Sequence, residues 1–221
     1  MSVLLQVALD TKNLDEALRI ASVARSNGAD IIEAGTILIK SVGIEAIKQL
    51  KRVCSDTPIL ADMKVLDNAM QEVELAVTNG ADIVTVSAVA SDKSILDAVI
   101  AAEKYGAKIM VDFMHVNNVL DRALALCDRG VDYICIHSST DTISLEDEGS
   151  RRSRIDNMRR MVRSIKGSCT VPIAVAGRLD DTSLCELVKA GASIVVVGSY
   201  ITKAADTAER VRWLKRFLTY I

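Results

Sequence analysis

The sequence predicts a (β/α)8 barrel, on three observations. Short runs rich in Val and Ile alternate with segments whose apolar residues recur at helical spacing. A glycine stands where a helix would end and a strand begin in Gly28-Ala29-Asp30, Gly80-Ala81-Asp82, Gly106-Ala107-Lys108, Gly130-Val131-Asp132 and Gly191-Ala192-Ser193. Glycine there accepts the left-handed conformation that closes a helix. Strand starts recur at roughly 25-residue intervals, one strand–helix unit, so about eight units fit the chain.

The elements follow in order. The first strand is Leu4–Leu9, and the next helix carries Leu14, Ala17, Leu18, Ala21 and Val23–Ala24. Asp30–Glu33 and Pro58–Asp62 give the second and third strands, followed by a helix with Met70, Val73, Leu75 and Ala76. Asp82–Ser87 is the fourth strand, and Ile95, Leu96, Ala98, Val99 and Ala102 mark its helix. Lys108–Asp112 and Asp132–His137 are the fifth and sixth strands. The sixth unit is lengthened by a polar, charge-dense insertion, Ser138–Arg154. It reads as a solvated loop, and its place after the sixth strand allows a lid over the active-site face. Pro172–Ala176 and Ser193–Gly198 complete the strands, and the last helix, Ala204–Leu218, carries Val211, Leu214 and Leu218 on one side. One domain, 1–221, with no linker is expected. A doubly wound open sheet is the alternative, but the first strand lacks the GxGxxG turn of a dinucleotide fold.

Composition narrows the function. The 221 residues are 50% hydrophobic and 25% charged, with a net charge of −2. That excludes disorder and gives no basic surface for nucleic acid or anionic membrane. Aromatics are 3%, too few for base-stacking platforms. No apolar run reaches the roughly 18–20 residues of a membrane span. The start lacks the basic region of a signal peptide, so a cytoplasmic protein is expected. The five cysteines form no CxxC pair, and their odd number fits a reducing compartment. With only two histidines, a Cys/His zinc site has little support.

The strand ends carry the chemistry. In a barrel these side chains gather at one face. The list reads Asp10, Glu33, Asp62 with Lys64 and Asp67, Asp112, His137, then Gly177-Arg178 and Gly198-Ser199. Alternation puts Asp62 and Lys64 on the same side, into the mouth, with Ala61 and Met63 facing the helices. One ionised residue at a strand end is ordinarily a salt bridge, but buried charges cost several kcal/mol each unless paired, and a whole set is not explained as structure. Lys64, between Asp62 and Asp67, keeps its charge and can stabilise an oxyanion such as an enolate. Glu33 and Asp62 offer hard oxygens suited to Mg²⁺. His137 can move protons near neutral pH. His115 is weaker, with a loop or helix-cap role. Gly177 and Gly198 let backbone N–H groups approach a phosphate after the last two strands, and Arg178 can add a guanidinium. A phosphorylated substrate is the preferred reading.

Asp62-x-Lys64-x-x-Asp67 after a third strand resembles the signature of the orotidine 5′-monophosphate decarboxylase superfamily. The chain is most similar to its branch of 3-hexulose-6-phosphate synthases and 3-keto-L-gulonate-6-phosphate decarboxylases. Leu5–Asp10, Ile31–Thr36, Ile59–Asp67, Ala81–Val86, Val131–His137, Ala174–Gly177 and Val195–Asp206 carry the resemblance, in order, over nearly the whole chain. It implies a (β/α)8 homodimer with shared active sites. It implies Mg²⁺ held by Glu33 and Asp62, Lys64 stabilising an enediolate, and Asp67 supplied by the neighbouring subunit. Asp10 would bind substrate hydroxyls, His137 would transfer protons, and the phosphate would sit near Gly177 and Gly198.

The implied activity is Mg²⁺-dependent condensation of ribulose 5-phosphate with formaldehyde through an enediolate. The alternative is the sister decarboxylase, which passes through the same intermediate. Asp112, in Ile109–Val116, resembles the synthases, whereas the decarboxylases usually carry Glu there. Decarboxylation of orotidine monophosphate fits less well, since that branch usually has Ile-Pro where Asn68-Ala69 stands. A sugar-phosphate binding barrel is the non-enzyme alternative. The chain departs from the family at Arg178, where a second glycine is usual, at Gly198-Ser199, at Ser138-Ser139-Thr140 and in the insertion. These departures fall on the phosphate and lid loops, with Arg178 as the candidate replacement for an arginine normally placed after strand eight. The base for the C1 proton stays open between His137, Asp62 and Asp67.

Overall fold

The computed structural model describes residues 2–143 and 147–221. The elements run β1 Leu4–Leu9, α1 Leu14–Ser26, β2 Ile31–Ala34, α2 Thr36–Val42, α3 Glu45–Val53, β3 Ile59–Val65, α4 Ala69–Thr78, β4 Ile83–Ser87 and α5 Asp92–Tyr105. They continue β5 Lys108–Asp112, α6 Val119–Leu126, β6 Tyr133–His137, α7 Thr140–Ile143, α8 Glu148–Ser168, β7 Ile173–Ala176, α9 Asp181–Ala190, β8 Ile194–Val197, α10 Ser199–Thr202 and α11 Thr207–Thr219. Among the described residues eight parallel strands pair in sequence order, and β1 closes on β8 through Leu4↔Ile194. This is the expected (β/α)8 barrel.

Alternation along the strands sorts the core into two layers. Leu5, Val7, Ile32, Ile59 and Ala61 pack outward against the helices. Ile31, Leu60, Met110 and Cys135 fill the barrel interior. Two residues further along each of those strands, on the same inner face, come Glu33, Asp62, Asp112 and His137. Period two thus converts an apolar floor into a polar mouth within one pleat.

Helix ends follow local rules. Asn13, Ser91, Asp147, Asp180 and Asp206 each accept a backbone N–H three residues on. The five glycines expected between helices and strands all adopt positive φ.

Three expectations change. The third strand does not stop at Asp62 but runs to Val65, through an irregularity in which Ala61–Val65 faces only Val84–Val86. The insertion is not simply a loop. Asp147 caps α8, so residues 148–154 form its first turns. Ile155, Met158, Val162 and Ile165 make a buried helical stripe, and the charges are its solvent face, with Arg152 and Arg159 paired to Glu186 of α9. The rest holds α7, while positions 144–146 lie outside the described residues. Finally, against the expectation of reduced cysteines, Cys127 and Cys169 form a disulfide between the C-terminal ends of α6 and α8. Cys54, Cys135 and Cys185 are free. Among the described residues no helix is long and apolar enough to cross a membrane.

Candidate active site

The centre of the mouth is a chain of three residues from three strands. Lys64 Nζ donates to Asp112 Oδ2 at 2.6 Å and to Asp62 Oδ1 at 3.0 Å. His137 Nδ1 lies 2.9 Å from the same Asp112 Oδ2. The carboxylate can only accept, so Nδ1 carries the proton, and in the neutral imidazole Nε2 is the lone-pair nitrogen. The other Asp112 oxygen accepts the Met114 backbone N–H at 2.9 Å. Asp112 is therefore bound on both oxygens while only 3% exposed.

Electrostatics follow. Burial pushes the Asp112 carboxyl up, but the hydrogen bond and charge of His137, with the Lys64 ammonium, outweigh it and hold it below the ordinary carboxylate range. Burial pulls Lys64 down, and the two aspartates outweigh that and raise it above the usual lysine value. Lys64 is a fixed cation.

Lys64 reaches this place by a route that plain alternation does not give. It takes left-handed φ, +48°, inside the β3 irregularity. Its backbone N–H donates to Thr85 Oγ1 at 2.9 Å, and that hydroxyl donates to Asp62 Oδ1 at 2.8 Å. Thr36 Oγ1 donates to Asp62 Oδ2 at 2.6 Å. Met63 packs outward against the shell core, as expected.

Beyond the bend, Asn68 also turns left-handed, and Leu66 and Asp67 are carried into solvent. Lys64 is consequently not held between Asp62 and Asp67 within one chain. Asp112 takes that second position, and the described side-chain partner of Asp67 is Asn68.

Glu33 and Asp10 complete an acidic cluster. Glu33 Oε2 accepts from Gln6 Nε2 at 2.6 Å. Burial, then the charges of Asp62 and Asp10, raise the Glu33 carboxyl well above its ordinary value. Asp10 keeps a solvent-facing edge, yet desolvation of its inner side and the Asp62 charge raise it too. Its carboxylate packs on Gly35, where an added Cβ would lie 2.3 Å from Oδ1. Asp10, Glu33, Asp62 and Asp112 thus share the mouth with one fixed cation, Lys64.

That imbalance bears on a divalent cation. Among the described residues no three His, Cys, Asp or Glu side chains group as a metal cluster. Mg²⁺ needs only one or two carboxylates, the rest being water and substrate oxygens. Glu33, disfavoured as a lone anion, and Asp62 fit that requirement. A small pocket of about 20 Å³ is lined by Gln6, Glu33, Asp62, Thr85 and Asp112.

The phosphate candidates stand on the β7 and β8 rims. Gly177 has φ +119°, and a Cβ there would lie 2.6 Å from the Ser138 carbonyl oxygen, so only glycine fits. Arg178 is exposed at φ +45°. Gly198 precedes α10, whose first residue, Ser199, is exposed. Beside His137 a cleft of about 650 Å³ opens between α6 and α8, lined by Val119, Ser138, Asn157 and Met158. His115 lines it from the β5–α6 loop, while Asn118 is the N-cap of α6. Reading strand ends missed Gln6 and Thr85. Their signal was a polar residue at an inward position of an apolar strand, LLQVAL and IVTVS.

The barrel, taken with its relatives, is an enzyme of the lyase class. The model of the Orotidine 5′-phosphate decarboxylase / HUMPS family matches residues 4–214, and the chain belongs to that family. It is 36% identical over 208 residues to the 3-hexulose-6-phosphate synthase of Staphylococcus epidermidis, covering 94% of this chain and 95% of that one. The structure of 3-hexulose-6-phosphate synthase from Salmonella typhimurium superposes with TM-score 0.86 at 31% identity, covering 100% of this chain and 99% of the other. A structure of KGPDC from Streptococcus mutans gives TM-score 0.86 at 26% identity, covering 98% and 97%.

Proposed function

We propose that this chain is a Mg²⁺-dependent aldehyde-lyase that condenses ribulose 5-phosphate with formaldehyde to a 3-hexulose 6-phosphate. The observation that carries the reading is the Lys64–Asp112–His137 chain beside the Asp10–Glu33–Asp62 cluster. A fixed cation and a proton carrier set against two cation-binding carboxylates are the requirements of enediolate chemistry. The synthase relatives support the substrate pair.

Glu33 and Asp62 would hold the Mg²⁺, which supplies a Lewis acid for the substrate ketone when bound. His137 Nε2, with Nδ1–H fixed on Asp112, removes a proton from C1 of the ketopentose. Asp62 suits that task less, since both its oxygens already accept hydrogen bonds. The electron pair left at C1 forms the enediolate, and Lys64 Nζ stabilises its oxyanion. C1 then bonds to the formaldehyde carbon as the C2 carbonyl re-forms, and the formaldehyde oxygen takes the proton that His137 removed. Asp10 orients substrate hydroxyls. Gly177, Arg178, Gly198 and Ser199 receive the phosphate.

Asp67 acts in the site of a second copy. Its exposure fits that role, and its chain neighbour Leu66 is an apolar side chain left 56% exposed.

The test is formaldehyde consumption with ribulose 5-phosphate, with Mg²⁺ and then with EDTA. Turnover that EDTA abolishes supports the reading. Release of CO₂ from 3-keto-L-gulonate 6-phosphate instead moves the chain to the decarboxylase reading, which the likeness to KGPDC keeps in view. Ligand binding without turnover of either substrate favours a sugar-phosphate binding protein.

A further inference from the structure

Gln6 stands on the inner face of β1, where the apolar floor of the barrel meets the polar side chains of Glu33, Asp62 and Thr85. Its register partner on β2 is Ile31, and Leu60, Ile83, Met110 and Ile194 fill the interior around it. It is 1% exposed. A buried amide costs free energy unless both its ends are hydrogen-bonded, so an aliphatic residue would be the cheaper occupant. One end is satisfied, since Nε2 donates to Glu33 Oε2 at 2.6 Å. The other is not: Oε1 is buried with no hydrogen-bond partner among the described residues. Gln6 also lines the 20 Å³ pocket that Glu33 and Asp62 share.

We propose that Gln6 is a positioning residue for the divalent cation. Its amide N–H fixes the Glu33 carboxylate in one orientation, and its carbonyl oxygen waits as an acceptor for a water of the cation's hydration shell. Such outer partners set the orientation and basicity of a ligand. The inference deepens the Mg²⁺ reading above and rests on it.

The experiment is Mn²⁺ binding to the full chain, followed by the loss of the free-ion electron paramagnetic resonance signal. Wild type is compared with Gln6→Leu and Gln6→Asn, the latter one methylene too short for the Glu33 contact. Unfolding temperatures of all three are taken in EDTA. The expected result is an affinity loss of about tenfold or more in both variants, with the cation-free unfolding temperature of Gln6→Leu not lowered. Wild-type affinity in the variants overturns the inference and leaves the cation reading standing. A lowered unfolding temperature with unchanged affinity also overturns it, because the amide is then only structural. If the wild type itself binds no Mn²⁺, the cation reading falls and the inference with it. Should Gln6→Leu fail to fold, Gln6→Asn alone decides.

Discussion

Lys64 Nζ and Asp112 Oδ2 lie 2.6 Å apart across the mouth although 48 residues separate them in the chain. The pair ties β3 to β5 and, through the same Asp112 oxygen, to His137 on β6. It gives Lys64 a counter-ion within its own chain. The charge on Lys64 therefore does not depend on a second subunit.

Replacing Lys64 by Met removes the cation and keeps the stem. The expected loss in kcat/KM is about 10³-fold, the scale of one preorganised oxyanion donor. Far-UV circular dichroism should be unchanged. A loss below tenfold would show that the charge is structural.

Asp112 sets an acid limb for stability. Its folded value lies below the unfolded one, so its contribution is present above about pH 4 and fades as pH falls through the folded value. Asp112→Asn lacks that contribution, leaving Lys64 with Asp62 alone and His137 without its carboxylate partner. Urea unfolding between neutral and acid pH should find wild type more stable at neutrality and the two curves converging in acid. Parallel curves would contradict the assignment.

How much of this is legible in the sequence depends on range. The barrel, its strand order and its glycine-closed helices follow from periodicity and local conformation. The charged strand ends are legible because alternation is local too. Asp112 as the second partner of Lys64 is not, because β3 does not keep a simple pleat: an irregularity and a left-handed lysine turn Nζ inward and swing Asp67 out. The start of α8 is hidden because its exposed face is so rich in charge that it masks the buried stripe from Ile155. The Cys127–Cys169 pair, 42 residues apart, depends on how α6 and α8 pack, which no spacing rule supplies.

Gly35→Ala tests the seat of Asp10. The new methyl carbon would fall 2.3 Å from Asp10 Oδ1 and 2.7 Å from the Leu9 carbonyl oxygen. Displacing both should cost about 1–3 kcal/mol of stability and, on the role proposed for Asp10 in holding substrate hydroxyls, raise KM more than it lowers kcat. Chemical denaturation and steady-state kinetics read the two effects. A variant with wild-type KM would remove Asp10 from the binding site.

The proposed sharing of Asp67 between two copies can be tested by complementation. Lys64→Ala and Asp67→Ala chains are each expected to be inactive. Mixed and allowed to exchange subunits, they form hetero-dimers in which one site carries both defects and the other none. Activity should return to about a quarter of wild type for random two-fold pairing. No recovery, with exchange confirmed by mass spectrometry, would place Asp67 in its own chain's site.

The enediolate is tested most directly by proton exchange at C1 of ribulose 5-phosphate in D₂O with Mg²⁺ and without formaldehyde, followed by ¹H NMR. Wild type should replace one C1 proton by deuterium, and Lys64→Met and His137→Gln should not. Steady consumption of formaldehyde by a protein that never exchanges a C1 proton would contradict the roles given to Lys64 and His137.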